Sequence, residues 1–323
     1  MARPTLFIVG AGVAGLACAR VLANAGLDVR LADKGRGPGG RCSSRRSAFS
    51  RFDHGAPFFK ARDQRFIEQV ETWIAAGVAE NWKGTFRSRD ETDQRHDRYV
   101  GLPAMNGFVR HEADALGAQF GVQLGAPIEQ NNAFDLYSVD GEAIGRADYV
   151  VVATPAPQAA LLLPEGSALQ QAAAATEMLP CWSLMAAFED DVPPPTADVL
   201  EPNEGPLHQV IWQAGKPGRE PGNRLVAHAT PAWAQAHLEE DADDVARLLE
   251  NALGFAHRST DRAAHRWRYA RAVKRGGQRY GIDPRARMAI CGDWLAGPDV
   301  EDAWLSGHEL GLRLVDELTE APL

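Results

Sequence analysis

The chain begins with the pattern that restricts its fold most: a short apolar run, a glycine-rich turn and an amphipathic segment. Residues 6–9 are Leu-Phe-Ile-Val, and Gly10-Ala11-Gly12-Val13-Ala14-Gly15 fits G-x-G-x-x-G. The run predicts a buried strand, and the apolar spacing over residues 13–21 predicts a helix ending at Gly26. Residues 27–31 alternate apolar and charged side chains, so a second strand follows. The pattern predicts a β-α-β unit.

Each glycine of this turn has a separate physical task. Gly10 permits a tight turn, Gly12 leaves room for a pyrophosphate beside the backbone, and Gly15 lets the helix pack closely on the strand. The helix N-terminus offers N–H groups and a partial positive charge to phosphate oxygens. Asp33, at the end of the second strand, is placed to accept hydrogen bonds from a ribose hydroxyl. These residues predict a dinucleotide site for NAD or FAD.

The next loop separates these two nucleotides. Residues 33–41 read Asp-Lys-Gly-Arg-Gly-Pro-Gly-Gly-Arg. They resemble the loop with which the flavin amine oxidase superfamily contacts the FAD pyrophosphate a second time, a loop that plain NAD dehydrogenases lack. Residues 290–293 and 300–307 resemble the C-terminal flavin motif of that superfamily, in which an aspartate holds the ribityl or phosphate end of the cofactor. The resemblance implies non-covalent FAD, and attachment through Cys42 is not expected.

Further segments resemble the renalases, particularly the bacterial type. They are residues 33–46, 53–56, 153–158, 228–230, 265–270 and 291–294. The resemblance implies a p-hydroxybenzoate-hydroxylase-like fold. It also implies oxidation of 2- and 6-dihydro isomers of NAD(P)H, with dioxygen as the acceptor giving hydrogen peroxide. The chain departs from that family at Pro57-Phe58, where Gln-Tyr is expected, so the phenol hydroxyl is absent.

The motifs and the resemblance together predict a set of cofactor-binding residues. They are Gly10, Gly12, Val13, Ala14, Gly15, Asp33, Lys34, Arg36, Gly39, Gly40, Arg41, Ile128, Gly292, Asp293 and Ala303. The helix that follows Asp293 is expected to direct a positive N-terminus at the flavin, which would stabilise negative charge on the reduced ring. No metal is expected, because the four cysteines show no zinc spacing.

The fold class predicted is α/β: a Rossmann-type FAD-binding domain with an inserted, mostly antiparallel α+β substrate domain. Alternating runs at 182–189, 209–213, 224–230 and 265–271 predict the strands of the inserted sheet. A helix over 243–253 is expected to bury Val245, Leu248, Leu249 and Ala252. The predicted FAD domain comprises residues 1–80, 102–155 and 280–323. The predicted substrate domain comprises residues 81–101 and 156–279.

Basic residues crowd two stretches of this acidic chain, whose net charge is −9. The stretches are residues 34–65 and 258–287, and arginines there suit phosphates of the cofactor and of a dinucleotide substrate. For the second stretch, a solvated face balanced by acids such as those at 239–244 is an equal alternative. The acidic balance argues against general nucleic-acid binding. No apolar run is long enough for a membrane span, and a cytoplasmic location is expected.

Four residues are candidates for positioning the substrate: Trp267, Tyr269, His228 and Phe58. In an extended strand His265, Trp267 and Tyr269 share one face, where an aromatic ring can stack on a flat nicotinamide. Hydride transfer to flavin N5 needs alignment and no separate proton acceptor, so no general base is assigned.

The sequence predicts an FAD-dependent oxidase of dihydronicotinamide isomers and leaves two alternatives open. The first is an amine or other small-molecule oxidase of the same superfamily. Such enzymes often use a lysine near N5, and none of Lys34, Lys60, Lys83, Lys216 and Lys274 stands in a recognisable catalytic pattern. The second is a non-enzymatic flavin redox sensor that binds a protein partner.

Overall fold

The computed structural model describes residues 3–46, 51–87, 97–189, 196–202, 204–273 and 277–319. The chain forms two compact units, each assembled from separate stretches. The first unit comprises Met1–Gly40, Val109–Met178 and Ala272–Leu323, and the second comprises Arg41–Phe108 and Leu179–Arg271. Within the ranges described, no helix is both long enough and apolar enough to cross a membrane.

The secondary-structure elements are numbered in chain order. The strands are β1 (Thr5–Val9), β2 (Asp28–Asp33), β3 (Arg45–Arg46), β4 (Arg51–Phe52), β5 (Phe59–Lys60), β6 (Ala79–Asn81), β7 (Phe86–Arg87), β8 (Arg98–Gly101), β9 (Gln119–Phe120), β10 (Ile128–Gln130), β11 (Ala133–Tyr137), β12 (Ala143–Ala147), β13 (Tyr149–Val152), β14 (Met178–Ala187), β15 (Val199–Leu200), β16 (Leu207–Trp212), β17 (Arg224–Ala229), β18 (Asp261–Ala272), β19 (Tyr280–Asp283) and β20 (Met288–Cys291). The helices are α1 (Val13–Asn24), α2 (Gln64–Ala75), α3 (Gly107–Ala115), α4 (Ala156–Ala159), α5 (Ala168–Ala174), α6 (Pro231–Ala236), α7 (Ala242–Ala252) and α8 (Val300–Thr319).

The first unit is built on a mostly parallel sheet in the order β19-β20-β13-β1-β2-β9. β1 pairs in parallel with β2 and with β13, β13 pairs in parallel with β20, and the edge strand β19 is antiparallel. β13 and β20 are buried along their whole length, as expected for strands covered on both faces. The predicted β-α-β unit is confirmed as β1, α1 and β2, and the core gathers around Phe7, Val150 and Ile290.

A separate antiparallel sheet of the first unit, in the order β10-β11-β12, follows β9 in the chain. Phe134 and Leu136 of β11 are buried in the core of the unit, whereas all three residues of β10 are exposed. Ile128 is the first of them.

The second unit contains an antiparallel sheet whose two faces are different. The order is β18-β14-β17-β16-β15-β7, and the edge pair β15-β7 is parallel. One face packs Leu184 and Leu225 against the helices α6 and α7. Because successive residues of a strand point to opposite faces, Ser183, Met185 and His228 belong to the other face. Met185 packs there against Phe52 of β4.

The helices of the second unit begin at side-chain caps that the sequence favours. Asp63 accepts a hydrogen bond from the Arg65 amide at the start of α2, and Asp241 accepts from two amides at the start of α7. α7 buries Val245 and Leu249, but Leu248 is 45% exposed, so its predicted inner position is wrong. On α7, Leu248 lies beside the row of buried residues that includes Val245 and Leu249.

The boundaries of the two units differ from the predicted domains. Residues 156–178 and 272–279 belong to the first unit, because α4 and α5 place Ala159 and Leu169 in its core. Residues 41–80 and 102–108 belong to the second unit, where Phe59 packs against Phe108 with ring centroids 5.2 Å apart. Within the predicted 81–101 segment, residues 88–96 lie outside the described residues.

Candidate functional site

The glycine turn of the first unit has the geometry that a phosphate site requires. Gly10 has φ +109°, which favours glycine, and it connects β1 to the turn before α1. A Cβ atom on Gly15 would collide with the carbonyl oxygen of Gly10, whereas a Cβ on Gly12 would meet no atom within 4 Å. Packing within the protein therefore explains why residue 15 is a glycine but not why residue 12 is one. The open space beside Gly12 fits the predicted approach of a pyrophosphate.

The N-terminus of α1 completes this turn. Gly12 is the N-cap, it provides no side-chain hydrogen bond, and the first turn of the helix holds no acidic residue. Val13 and Ala14 follow at once, so the first amides of the helix and its partial positive charge remain available to an anion.

Asp33 holds two segments of the glycine site together. One carboxylate oxygen accepts a hydrogen bond from the Ala11 amide at 2.9 Å, and the other accepts from the Gly35 amide at 2.7 Å. A carboxylate can accept about four hydrogen bonds, so capacity remains for the predicted ribose contact.

The second predicted loop meets the first inside the same unit. Gly40 has φ +51°, and a Cβ atom on it would lie 4.0 Å from the Cα of Gly12. Gly39 is buried, while Lys34 and Arg36 are exposed. The structure thus places the backbone of both glycine loops side by side with two cationic side chains at the edge.

Arg41, the last residue of that predicted loop, belongs to the second unit. Its guanidinium donates to the carbonyl oxygen of Ala270 at 3.4 Å, and its own carbonyl accepts from the Ala56 amide at 2.8 Å.

The C-terminal motif is fixed by a buried serine. Ser306 Oγ accepts from the Gly292 amide at 2.8 Å and donates to the carbonyl oxygen of Arg279 at 2.5 Å. Asp293 is buried in the short 3-10 helix that follows β20, and Ala303 is buried in the first turns of α8. Ser306 therefore joins the end of β20 to α8.

The start of α8 differs from the positive helix end that was predicted. The helix begins at Val300, and Glu301 and Asp302 lie in its first turn. Burial raises the pKa of Asp302. Two acidic side chains offset the positive end of the helix dipole. Ile128, another predicted cofactor residue, is 48% exposed on β10, outside both glycine loops.

Three aromatic side chains of the second unit form one cluster at β18, the strand that carries the candidates Trp267 and Tyr269. The ring of His54 stacks on Trp267 with centroids 5.1 Å apart, and His265 packs edge-on against both rings. Trp267 Nε1 also donates to the carbonyl oxygen of His54 at 3.0 Å. Tyr269, two residues further along β18, is half-buried. We call His54, His265 and Trp267 the aromatic cluster.

His228 lies in the middle of the same sheet. Its neighbours in register are Ser183 on β14 and Gln209 on β16. Ser183 Oγ and Gln209 Oε1 are buried and form no hydrogen bond among the described residues. Phe58 lies elsewhere: it packs against Trp82 and Phe86, with ring centroids 6.1 and 5.7 Å away.

All three histidines of this region are held neutral at physiological pH. Burial lowers the pKa of His54 from 6.5 to about 3, and the nearby Arg45 charge acts in the same direction. Burial likewise lowers the pKa of His228 to about 4, with a further contribution from Lys216. Burial and Arg45 lower the pKa of His265. The region is therefore uncharged and aromatic, with cations beside it.

A buried ion cluster adjoins His54 in the chain. Asp53 Oδ2 lies 3.1 Å from Lys216 Nζ and accepts from Arg219 at 2.6 Å, while Oδ1 accepts from Ser44 Oγ at 2.7 Å and from the Met105 amide at 2.9 Å. Burial alone would raise the pKa of Asp53, but these cations and donors hold it well below its ordinary value. Burial lowers the pKa of Lys216 to about 8.

Most of the second basic stretch is balanced by acids, which favours the solvated-face alternative there. Arg266 and Arg268 both pair with Glu239, and Arg262 pairs with Glu250. Arg287 pairs with Glu129. Lys274 and Arg275 of this stretch lie outside the described residues.

Two family models match the chain. The model of the NAD(P)-binding Rossmann-like domain matches residues 8–70, and the model of the flavin containing amine oxidoreductases matches residues 86–309. The second match covers more than half of the chain. The chain belongs to the flavin-containing amine oxidoreductase family.

Solved structures share the fold at low sequence identity. One, from Exiguobacterium sp. 255-15 and named as a candidate protoporphyrinogen oxidase, has a TM-score of 0.78 at 13% identity, covering 98% of this chain and 100% of its own. Cyclohexylamine oxidase from Brevibacterium oxydans IH-35A gives 0.71 at 13% identity, with 98% and 100% covered. Wild-type putrescine oxidase bound to putrescine gives 0.66 at 13% identity, with 97% and 99% covered.

The family is one of FAD-dependent oxidoreductases, and the glycine site fits that cofactor. The open space at Gly12, the uncapped start of α1 and the adjacent Gly40 form a cradle that a Cβ atom would fill. Asp33 stands at its edge.

Sequence reasoning missed the partners that fix the site. Lys216 and Arg219 belong to no short motif, and Ser306 lies inside the predicted C-terminal motif but was not itself predicted as a site residue. Lys216 stood out as one of few lysines in the chain, but its ion pair with Asp53 depends on folding across a separation of 163 residues.

Proposed function

We propose that the protein is an FAD-dependent oxidase whose substrates are the 2- and 6-dihydro isomers of NAD(P)H. In this proposal the first unit binds FAD through the glycine loops and the Gly292-Asp293 motif. The second unit positions the substrate through Trp267 and His228. Bound FAD would accept a hydride from the dihydropyridine ring, leaving the aromatic nicotinamide, and would then pass two electrons to dioxygen to give hydrogen peroxide.

The observation that supports this choice is the electrostatic character of the aromatic cluster. His54 and His265 are neutral there, and the cationic Arg45 lowers the pKa of both. Asp53, the carboxylate next in the chain, is already shared by Lys216 and Arg219. A cationic alkylammonium would meet positive potential at this surface. A neutral dihydropyridine that carries anionic phosphates would meet favourable potential.

The side chains available also suit a hydride donor that needs no base. A dihydropyridine already holds a transferable hydride, so the protein has to align a flat ring and exclude water. The Trp267 indole is fixed by its hydrogen bond to His54 O and offers an aromatic surface. With pKa values of about 3 and 4, His54 and His228 remain uncharged and act as hydrogen-bonding groups.

An amine oxidase is the second candidate, because the family description names amine substrates and two of the similar structures are amine oxidases. Both functions are tested in one experiment. The FAD-loaded protein is mixed without oxygen with the 2-, 4- and 6-dihydro isomers of NAD(P)H, cyclohexylamine and putrescine. Loss of flavin absorbance is followed by stopped flow. We expect the 2- or 6-dihydro isomer to bleach the flavin fastest. Faster bleaching by an amine would overturn the proposal.

A further inference from the structure

Two adjacent arginines of the short strand β3, Arg45 and Arg46, form no ion pair with an acidic residue among the residues described. β3 and β4 pair so that Arg45 lies opposite Phe52 and Arg46 opposite Arg51. The connecting residues 47–50 are Ser-Ala-Phe-Ser, which bear no charge. Arg45 and Arg46 are both exposed. We call these two residues the arginine pair.

The arginine pair differs from Arg262, Arg266 and Arg268 of β18, each of which pairs with an acidic residue. Arg266 and Arg268 share Glu239, and Arg262 lies 2.9 Å from Glu250. Among the residues described, no carboxylate forms an ion pair with Arg45 or Arg46. In a chain of net charge −9, two adjacent exposed arginines without an acid provide a local positive site.

The location of Arg45 relates this charge to the aromatic cluster. Its positive charge contributes to the lowered pKa values of His54 and of His265, so the guanidinium acts on both rings. β4 also continues directly into the Asp53-His54 segment. Because Arg45 lies opposite Phe52, two residues before His54, a ligand whose ring lies on the aromatic cluster would place a charged substituent near Arg45.

We propose that Arg45 binds a phosphate group of the substrate and that Arg46, which leaves the opposite face of β3, adds positive charge nearby, so that the enzyme prefers dihydropyridines that carry a phosphate. Arginine suits this task because its planar guanidinium donates two parallel hydrogen bonds to phosphate oxygens. The inference rests on the proposed function for the identity of the ring. The anion site itself follows from the charge and position of the arginine pair.

The test compares two donors of the same hydride. One is the 6-dihydro isomer of NADH, and the other is 1-methyl-1,6-dihydronicotinamide, which has no phosphate. Anaerobic flavin reduction gives an apparent Kd and a limiting rate for each. In an Arg45→Ala/Arg46→Ala variant, we expect the apparent Kd for the dinucleotide to rise about 10- to 100-fold. The limiting rate with the dinucleotide should change less than about twofold. The apparent Kd and the limiting rate with the phosphate-free donor should also change less than about twofold.

Arg247→Ala is the matched control, because Arg247 is exposed on α7 and pairs with Asp244. It removes one positive charge from the helix that packs on the other face of the sheet, so both donors should behave as with the wild type. Arg45→Lys should bind the dinucleotide more tightly than the Arg45→Ala/Arg46→Ala variant and less tightly than the wild type. Equal effects of the double variant on both donors, or no effect on the dinucleotide, would overturn the inference.

A binding experiment separates this inference from the proposed function. NAD+ is titrated into the oxidised FAD-loaded protein, and perturbation of the flavin spectrum gives its Kd without turnover. We expect weaker binding at higher salt in the wild type and a smaller salt dependence in the Arg45→Ala/Arg46→Ala variant. If no dihydronicotinamide reduced the flavin but this difference held, the proposed function would fail and the anion site would stand. Absence of any NAD+ binding would remove the anion site.

Discussion

Lys216 and Asp53 form an ion pair in which both side chains are buried. Nζ and Oδ2 are 3.1 Å apart, and the side chains are 0% and 2% exposed. Arg219 binds the same carboxylate oxygen at 2.6 Å. One carboxylate thus balances two buried cations. Asp53 directly precedes His54, whose carbonyl oxygen holds the Trp267 indole. The ion cluster therefore fixes the chain segment from which the aromatic cluster is built.

The first prediction concerns this imbalance. Asp53→Asn leaves two cations with no carboxylate, and we expect it to lower the free energy of unfolding by about 3–5 kcal/mol. Lys216→Met leaves Asp53 paired with Arg219, so its loss should be smaller. The double variant Asp53→Asn/Lys216→Met should lose less free energy of unfolding than the sum of the losses in the two single variants. Urea unfolding of the four proteins measures this coupling.

The exposed pair Lys83–Asp97 provides the control cycle. Its charged atoms are 3.2 Å apart, but its side chains are 77% and 58% exposed. Solvent screening should keep its coupling below about 1 kcal/mol. Coupling between Asp53 and Lys216 no larger than in this exposed pair would contradict the view that burial determines the strength of the interaction.

The second prediction separates two glycines of one motif. A side chain at Gly12 enters open space, so Gly12→Val should leave the apoprotein about as stable as the wild type and abolish FAD binding. A Cβ at Gly15 collides with the Gly10 carbonyl, so Gly15→Ala should destabilise the apoprotein by about 1–3 kcal/mol or more. Thermal unfolding without FAD and flavin content after purification are the two measurements. Full flavin occupancy in Gly12→Val would place the phosphate site elsewhere.

These residues also show which parts of the structure could be predicted from the sequence. The glycine turn, Asp33 and the strands around them are separated by few residues, so local periodicity and turn chemistry determine them. The aromatic cluster was predicted in part: β18 alternation placed His265 and Trp267 on one face, but the stacking of His54 depends on a distant loop. Phe58, which was predicted to position the substrate, packs with Trp82 and Phe86 outside the aromatic cluster.

The unpredicted features share a physical cause. Ion pairs such as Asp53–Lys216 join residues far apart in the chain, and no sequence spacing encodes them. Leu248 is apolar like Val245 and Leu249, and only the orientation of α7 in the folded unit leaves it exposed. The boundary between the units differs from the predicted one for the same reason. α4 and α5 follow a proline break in the sequence, yet they pack into the core of the first unit.

The third prediction concerns Asp33. Asp33→Ala removes the acceptor for the Ala11 and Gly35 amides as well as the predicted ribose contact. We expect FAD affinity to fall by about 1–3 kcal/mol, without complete loss. Asp33→Asn keeps one acceptor oxygen and should lose less. Flavin fluorescence during reconstitution of the apoprotein gives both affinities. Unchanged affinity in Asp33→Ala would remove this residue from the cofactor site.

The fourth prediction is a pH dependence of stability. Burial lowers the pKa of His228 from 6.5 to about 4, so the unfolded chain binds a proton in this interval that the folded protein does not. The contribution of neutral His228 is complete above pH 6.5 and is lost as the pH falls towards 4. Between pH 7 and pH 4.5 the free energy of unfolding of the wild type should fall on the order of 2–3 kcal/mol more than that of His228→Gln. Urea unfolding at several pH values tests this.

The exposed residue His257 serves as the control for that series, since His257→Gln should reproduce the pH dependence of the wild type. Asp53 does not interfere, because its pKa lies below its ordinary value and it titrates at lower pH. Parallel curves for wild type and His228→Gln would show that His228 is not held neutral by the fold.

The last prediction divides the two roles of Trp267. Its ring stacks on His54, and its Nε1 donates to the His54 carbonyl at 3.0 Å. Trp267→Phe keeps an aromatic surface and loses the hydrogen bond, which should cost about 1 kcal/mol of stability and slow flavin reduction modestly. Trp267→Ala loses the surface as well, so reduction by the 6-dihydro isomer of NADH should slow at least about tenfold while FAD stays bound.

Stopped-flow flavin reduction, with flavin content measured on the same samples, distinguishes a positioning role from damage to the fold. Tyr269→Phe tests the other positioning candidate of β18, which lies two residues further along the strand and forms no ring contact with the aromatic cluster among the described residues. If alignment by the indole controls hydride transfer, the rate should follow the order wild type, Trp267→Phe, Trp267→Ala at constant FAD occupancy. Equal rates in all three proteins would exclude Trp267 from substrate positioning and leave His228 as the next residue to test.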